Sequence, residues 1–285
     1  MEATPLERRA LQSFDDLLTR EEVFWKDTPP HLVKGSPFDF EFRVAPSFKS
    51  KPILAADAKG RSEDTDAFGD DDPAFTVSTI GSHHKLILNK FCVVRPQFVL
   101  HTKDFEKQSD PLTYSDVNAL RQTMQELGPG KYIGIFNCGA KAGSSIGHKH
   151  MQVFPTSDHV LFQDHLVSQH RADDSSTEIW RHPKVPYEHA ILPITHSTSP
   201  DAIHKLYLEL RQNMRLDQDY PHNVIMTSTS IAIIPRTQAR IRCMAANAAS
   251  MVGMVWVKTE DELNAWKEYG PMKVLAEVGL PRSIP

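Results

Sequence analysis

The sequence predicts an α+β fold in which an antiparallel sheet is flanked by helices. Two pairs of apolar segments indicate this class, Lys85–Val94 with Gln97–Thr102 and Tyr132–Asn137 with His148–Phe154. The short returns within each pair favour antiparallel pairing of strands. An amphipathic helix, predicted over Pro111–Leu127, lies between the two pairs, so helices are expected to pack against the sheet.

The elements before this pattern begin with a helix. Thr4 and Glu7 have the spacing of a capping box, and apolar residues then recur on one face from Leu6 to Leu18. The segment from Lys26 to Lys51 is rich in proline and aromatic residues, which predicts extended, wrapping chain. Residues 57–73 are acidic and nearly devoid of large apolar side chains, which predicts a mobile surface loop.

The elements after Phe154 define the second half. Residues 155–186 are polar and predict an irregular connection, with a domain boundary between 1–172 and 173–285. A helix is predicted from about Pro200 to Asp217, and a closing helix follows Thr259 and Glu262, which have capping-box spacing. Strands are predicted at Tyr187–Leu192, Asn223–Thr227, Ile231–Ile234 and Val252–Lys258.

Composition excludes several classes of protein. The chain has 285 residues, of which 40% are hydrophobic and 24% charged, as in folded globular proteins. Its net charge of −4 argues against a dedicated nucleic-acid binder. The three cysteines form no CxxC pair, which predicts a reducing compartment. With no apolar signal or membrane-length segment evident, we expect a cytoplasmic protein without a membrane partner.

One polar row stands out within the predicted strand at 148–154. His148, His150 and Gln152 alternate along it and would share a face. Just before it, Gly143, Ser144 and Ser145 offer backbone N–H groups that can approach an anion closely. A nucleophile beside phosphate donors is what phosphoryl or nucleotidyl transfer requires.

The His-x-His spacing alone leaves three interpretations open. It suits a metal-binding pair, two merely exposed imidazoles, or a nucleophile with a neighbour. Gln152 favours the third, because glutamine is a poor metal ligand but a good donor to a phosphate oxygen.

The segment resembles the His-x-His-x-Gln signature of the transferase branch of the histidine-triad (HIT-like) superfamily. That branch includes galactose-1-phosphate uridylyltransferase (GalT) and the diadenosine tetraphosphate (Ap4A) phosphorylases, or ATP adenylyltransferases. Further stretches resemble the fungal phosphorylases. They are PSFKSKP (46–52), LNKFCVVRPQFVLHTKDFEKQSDPLT (88–113), IFNCG (135–139), HNVIMTSTSIAIIPR (222–236), NAASMVGMVWVK (247–258) and the final KEYGPMKVLAEVGLP.

This resemblance implies a HIT-like/GalT-like antiparallel sheet, a C-terminal α+β half that completes the site, and phosphorolysis of Ap4A to ADP and ATP. His150 would attack the α-phosphorus and carry AMP, the carbonyl of His148 would fix its tautomer, and Gln152 would donate to a phosphate oxygen. The residues expected near substrate are Asn89, Lys90 and Asn137 at the nucleotide, Gly143, Ser144, Ser145 and Ile146 in the phosphate loop, Lys51 and Lys258 at the polyphosphate, and Asn247, Ala248, Ala249 and Met254 on the far side.

The chain departs from the family pattern in two places. Ile146 replaces the usual glutamine, and Ala248, Ala249 and Ser250 replace Ser, Leu and Gly. Two alternatives therefore stay open: a nucleotide-binding sensor without turnover, and a metal-dependent enzyme that uses His148 and His150 as ligands. We expect small-molecule nucleotide partners, no tightly bound cofactor, possible assistance by Mg²⁺, and a monomer.

Overall fold

The computed structural model describes residues 2–64, 67–68, 72–170 and 178–282, and gives no side-chain placement at 169–170. The predicted boundary at 172–173 therefore lies outside the described residues. The α-helices of the described part are α1 (Pro5–Thr19), α2 (Tyr114–Leu127), α3 (Phe162–His170), α4 (Pro200–Asn213), α5 (Ala248–Met251), α6 (Glu260–Tyr269) and α7 (Pro271–Val278).

The strands of the described part form a large sheet, a three-stranded sheet and a small hairpin. They are β1 (His31–Val33), β2 (Phe40–Val44), β3 (Thr76–Ile80), β4 (His84–Leu88), β5 (Phe98–Thr102), β6 (Tyr132–Cys138), β7 (His150–Pro155), β8 (Ala190–Pro193), β9 (His222–Met226), β10 (Ser230–Pro235), β11 (Arg240–Ile241), β12 (Met244–Ala245) and β13 (Met254–Val257).

The large sheet crosses from one half of the chain to the other. Its order is β3-β4-β5-β7-β6-β9-β10-β8, and every neighbouring pair is antiparallel. The halves meet at β6 and β9, where Gly134 opposes Met226 and Cys138 opposes His222. The predicted α+β class with an antiparallel sheet and flanking helices is confirmed.

A second sheet joins distant parts of the chain. It has the order β1-β2-β13, and β13 pairs with β2 in parallel, with Val257 opposite Val44. Parallel pairing requires a long crossover, and here residues 45–253 lie between the two strands.

The large sheet separates two apolar cores. Alternate residues of β6 point to opposite faces, so that Tyr132 and Phe136 pack towards α1, α2 and α4. Ile133 and Ile135 pack towards α3, α5 to α7 and the three-stranded sheet. Both faces of the sheet are therefore covered.

The helix caps depart in part from the sequence prediction. Thr4 caps α1 by accepting from Glu7 N, but the Glu7 carboxylate accepts from Tyr132 Oη at 2.8 Å instead of completing a capping box. Thr259 caps α6 in the same way, while Glu262 Oε2 accepts from Lys258 N. In both helices the carboxylate accepts from another donor, Tyr132 Oη in α1 and Lys258 N in α6, and not from the backbone N–H of the cap residue.

Other differences concern segments of weak periodicity. The strand predicted over Lys85–Val94 ends at Leu88, and the connection at 155–186 contains α3. The wrapping segment 26–51 contains β1 and β2, and the closing helix is divided at Gly270 (φ +94°). In the described part of the chain, each helix is too short or too polar to cross a membrane.

Candidate active site

A cleft with two lobes lies at one end of β7. The first lobe has a volume of about 260 Å³ and the second about 320 Å³, and both are lined by Lys51, Ser145 and Gln152. Aromatic and aliphatic side chains such as Phe75 and Ile87 contribute to the first lobe, together with His150. Residues from the second half of the chain, including Asn247 and Lys258, contribute to the second.

His150, the first residue of β7, lies at the wall of the first lobe with 5% of its surface exposed. Its Nδ1 lies 2.9 Å from the carbonyl oxygen of His148. Because a carbonyl only accepts hydrogen bonds, Nδ1 carries the proton and the lone pair is on Nε2. Burial lowers the pKa of His150 to about 3, so the ring is neutral at pH 7.

Two other buried histidines show what distinguishes His150. His189 and His222 also place Nδ1 against the carbonyl two residues earlier, at 2.8 and 2.7 Å. Their Nε2 atoms, however, contact His182 N and Tyr207 Oη, respectively. Of these three rings, His150 is the one that lines the cleft.

The side chains of His148 and Gln152 differ in their contacts and in whether they line the cleft. The Nε2 atom of His148 lies 2.8 Å from the carbonyl oxygen of Thr102, and His148 is not among the described residues that line either lobe. Both imidazoles nevertheless lie against the Phe68 ring, at centroid distances of 5.0 Å for His148 and 5.7 Å for His150, as expected of residues that share a face of the sheet. Gln152 lines both lobes, and its Oε1 accepts from Gln97 Nε2 at 3.0 Å.

The phosphate loop predicted at 143–146 is held by Arg61. The guanidinium donates to the carbonyls of Ser144 (2.9 Å) and Ile146 (3.1 Å), and Leu54 N donates to the carbonyl of Ser145 (2.9 Å). In a trans peptide the N–H points opposite to the C=O. The N–H of Ser145 is therefore directed away from Arg61 and the N–H of Ile146 away from Leu54, and both residues line the first lobe.

The three lysines predicted at the substrate, and the asparagines Asn89 and Asn247, also line the cleft. Lys51 lies between the lobes, where burial lowers its pKa to about 8 and the like charge of Lys258 acts in the same direction. Asn89 and Lys90 line the first lobe, and Lys90 Nζ lies 5.9 Å from the Phe24 ring centroid. Gly143, Ser144, Asn247 and Lys258 line the second lobe.

Four residues expected at the substrate lie beneath the cleft. Asn137 is 3% exposed, and its Oδ1 accepts from Asn223 Nδ2 (2.9 Å) and Ala248 N (2.8 Å). Ala248, Ala249 and Met254 are buried in the core. None of the four is among the described residues that line either lobe. The bond from Ala248 N to Asn137 fixes the start of α5 and in this way supports the site.

Sequence reasoning missed several residues that support the site. Arg61 lies in the loop predicted at 57–73, and Phe68, from the same loop, has its ring centroid 5.7 Å from that of His150. Arg236 is fully buried and donates to Asn223 Oδ1 at 2.6 Å and to the Ala246 carbonyl at 3.0 Å. A lone arginine directly after an aliphatic strand, as in IAIIPR, could have indicated a buried arginine with several partners.

Within the described ranges, no group of three His, Cys, Asp or Glu side chains is arranged to hold a metal ion.

Comparisons with known proteins agree with this arrangement. The profile of the Ap4A phosphorylase N-terminal domain matches residues 15–164, more than half of the chain, and that of the ATP adenylyltransferase C-terminal domain matches residues 183–281. The fold is similar to that of yeast Ap4A phosphorylase Apa2 solved in complex with Ap4A, with a TM-score of 0.83, 24% identity and 100% of both chains covered. The structure of Apa2 with AMP gives a TM-score of 0.82 at 24% identity, over 99% of this chain and 98% of that one.

Two proteins of Saccharomyces cerevisiae are similar in sequence. Diadenosine 5',5'''-P1,P4-tetraphosphate phosphorylase 2 is 28% identical over 269 residues, covering 84% of this chain and 83% of its own. Protein APA1 is 26% identical over 226 residues, covering 70% of each chain. With both family profiles matched in order, the chain belongs to the Ap4A phosphorylase (ATP adenylyltransferase) family of nucleotidyltransferases.

Proposed function

We propose that this chain catalyses the reversible phosphorolysis of Ap4A to ATP and ADP through an adenylyl group on His150. The Nε2 lone pair attacks the α-phosphorus, an N–P bond forms, and the bond to the bridging oxygen breaks to release ATP. A phosphate oxygen then attacks the same phosphorus, and the N–P bond breaks to release ADP and the free imidazole.

The observation that carries this proposal is the placement of the His150 ring. Its proton is held on Nδ1 by the His148 carbonyl at 2.9 Å, and the ring is neutral because burial lowers its pKa to about 3. The nucleophilic nitrogen is therefore available throughout the physiological pH range without a separate base. The similarity to a yeast phosphorylase named for Ap4A supports this choice of substrate.

The surroundings of His150 suit the charge that moves in this reaction. The bond from Gln97 engages the carbonyl end of Gln152 and leaves its Nε2 group to donate to a non-bridging phosphate oxygen. Lys51, between the lobes, and Lys258, in the second lobe, would neutralise the polyphosphate that leaves as ATP. The two lobes would hold the two adenosines.

Magnesium would accompany the polyphosphate rather than bind a protein site. Glu262 is the carboxylate among the described residues that line the two lobes, and its Oε2 already accepts from Lys258 N at 2.8 Å. The side chains beside the phosphates are otherwise cationic, which does not fit a protein-held magnesium ion. No step of the mechanism depends on one.

The test is to trap the intermediate. Incubation with Ap4A labelled at the α-phosphorus, without phosphate, should leave an acid-labile, base-stable label on His150, and phosphate should then release it as ADP. His150→Ala should abolish both label and turnover. His222→Ala removes a buried histidine with the same Nδ1 bond away from the cleft and should keep the label.

Each outcome is decisive once thermal unfolding shows that the variants are folded. Normal phosphorolysis by His150→Ala would refute the covalent mechanism. Tight Ap4A binding by the wild type without label or turnover would favour a nucleotide sensor, and loss of activity with a chelator without any label would favour metal catalysis.

We further propose that the protein acts as a monomer in the cytoplasm and binds neither nucleic acid nor membranes. A single chain supplies both lobes, so a second copy is not needed to complete the site. Light scattering coupled to size-exclusion chromatography should give the mass of one 32.2 kDa chain.

A further inference from the structure

The strands β6 and β7 separate where the active site begins. Their pairing runs from Tyr132 opposite Pro155 to Phe136 opposite Met151. The next pair in this register would be Asn137 and His150, but the pairing of β6 with β7 stops before it, while Asn137 keeps its partner Asn223 in β9 and His150 its partner His101 in β5. The sheet is therefore split at the level of the nucleophile.

The side chain of Gln108 fills this split. Its Oε1 accepts from His150 N at 2.7 Å, and its Nε2 donates to the carbonyls of Asn137 (2.8 Å) and His150 (3.1 Å). The primary amide thus makes the hydrogen bonds that a strand backbone would make, and the residue is only 2% exposed.

The backbone of Gln108 holds both ends of the phosphate loop. Its N–H donates to the Gly147 carbonyl at 2.7 Å, and its carbonyl accepts from Gly139 N at 3.0 Å. One residue therefore connects the end of β6, the start and end of the loop, and the nucleophile. Gln108 is not among the described residues that line either lobe of the cleft.

We propose that Gln108 is a positioning residue that sets His150 in line with the phosphate loop. This inference rests on the proposed function, since it assigns a cause to the reactivity of His150. Loss of the amide would let the strand and the loop move relative to each other, and a displacement of about 1 Å at a reacting atom can cost about 100-fold in rate. Substrate binding by the lobes themselves would change little.

The first variant is Gln108→Leu, with Gln163→Leu as its matched control. Gln163 is also fully buried, and its side-chain amide has no hydrogen-bond partner among the described residues, so its replacement should leave kinetics unchanged. For Gln108→Leu we expect the single-turnover rate of adenylylation to fall about 100-fold while KM for Ap4A changes by less than about threefold. A rate within about twofold of the control would overturn the proposal.

The second variant, Gln108→Glu, keeps the protein testable if the leucine variant fails to fold. A protonated glutamic acid retains one donor for the two carbonyls, whereas its carboxylate would present only acceptors to them. The ratio of variant to wild-type adenylylation rate should therefore fall as pH rises through the titration of this buried acid, with the protein folded at every pH. A ratio that is independent of pH would refute the proposal.

The same assay separates this inference from the proposed function. If the wild type forms no adenylyl-enzyme, the covalent mechanism fails. If the wild type forms it and both Gln108 variants form it equally fast, the mechanism stands and the positioning role is refuted.

Discussion

The ionisation of Lys51 should control how well the enzyme captures Ap4A. Lys51 lies between the two lobes, where the polyphosphate has to pass, and burial lowers its pKa to about 8. An ordinary lysine, with a pKa of about 10.4, would stay charged to well above pH 9. The ammonium of Lys51 should instead be lost within an experimentally accessible range.

The magnitude follows from that pKa. The lysine is about 90% protonated at pH 7 and about 10% at pH 9, so the dissociation constant for Ap4A should rise roughly tenfold between them. The bridging phosphates of the substrate do not titrate in this range, which leaves the free enzyme as the source of the change. Lys51→Arg, which keeps its charge, should give a flat profile.

The assay measures Ap4A binding directly, so that the titration of the acceptor phosphate does not interfere. The dissociation constant of the folded His150→Ala protein would be measured by calorimetry from about pH 6.5 to about pH 9.5, with and without Lys51→Arg. Parallel profiles for the two proteins would refute the assignment of the pH dependence to Lys51.

Two further predictions test the frame around the site. Burial alone would raise the pKa of Asp116, but the hydrogen bond with His84 and the charge of Lys149 lower it to about 2. Asp116→Asn should therefore lower the free energy of unfolding by about 2 kcal/mol at pH 7, and urea titrations should show this difference shrinking as pH falls from about 4 to about 2; an equal difference at both ends would contradict it. Gly147→Ala would place a methyl group 2.1 Å from the Arg61 Cα, and overpacking of ~1–3 kcal/mol should lower Tm and raise KM for Ap4A about tenfold. An unchanged KM in the alanine variant would show that Arg61 does not set the phosphate loop.

The part of the site that could be predicted from the sequence is the part carried by local patterns. Alternation along β7 put His150 and Gln152 on one face, and both line the cleft. Cap residues such as Thr4, which accepts from Glu7 N, marked the start of a helix. In these cases each residue acts within a few positions of its own place in the chain.

The rest depends on contacts between distant residues that leave no periodic signal. Arg61 reaches the Ser144 carbonyl from 83 positions away, and Gln108 reaches His150 from 42. Asn137 was predicted at the nucleotide, whereas its Oδ1 accepts from Asn223 and Ala248, and an asparagine that binds a nucleotide looks the same in sequence as one that caps a buried backbone. A family resemblance assigns a residue to a site by its position in the sequence and does not distinguish these two roles of an asparagine.

The parallel pairing of β2 with β13 has a consequence for how the protein is made. Phe40 and Phe42 leave the ribosome early, yet the strand that covers them begins at Met254. Until Val257 has been synthesised, the edge of β2 that pairs with β13 stays open, and contacts of such long sequence separation form slowly. A nascent chain of this protein is therefore exposed to aggregation at β2 until β13 has emerged, and the second lobe, to which Lys258 contributes, cannot be completed earlier.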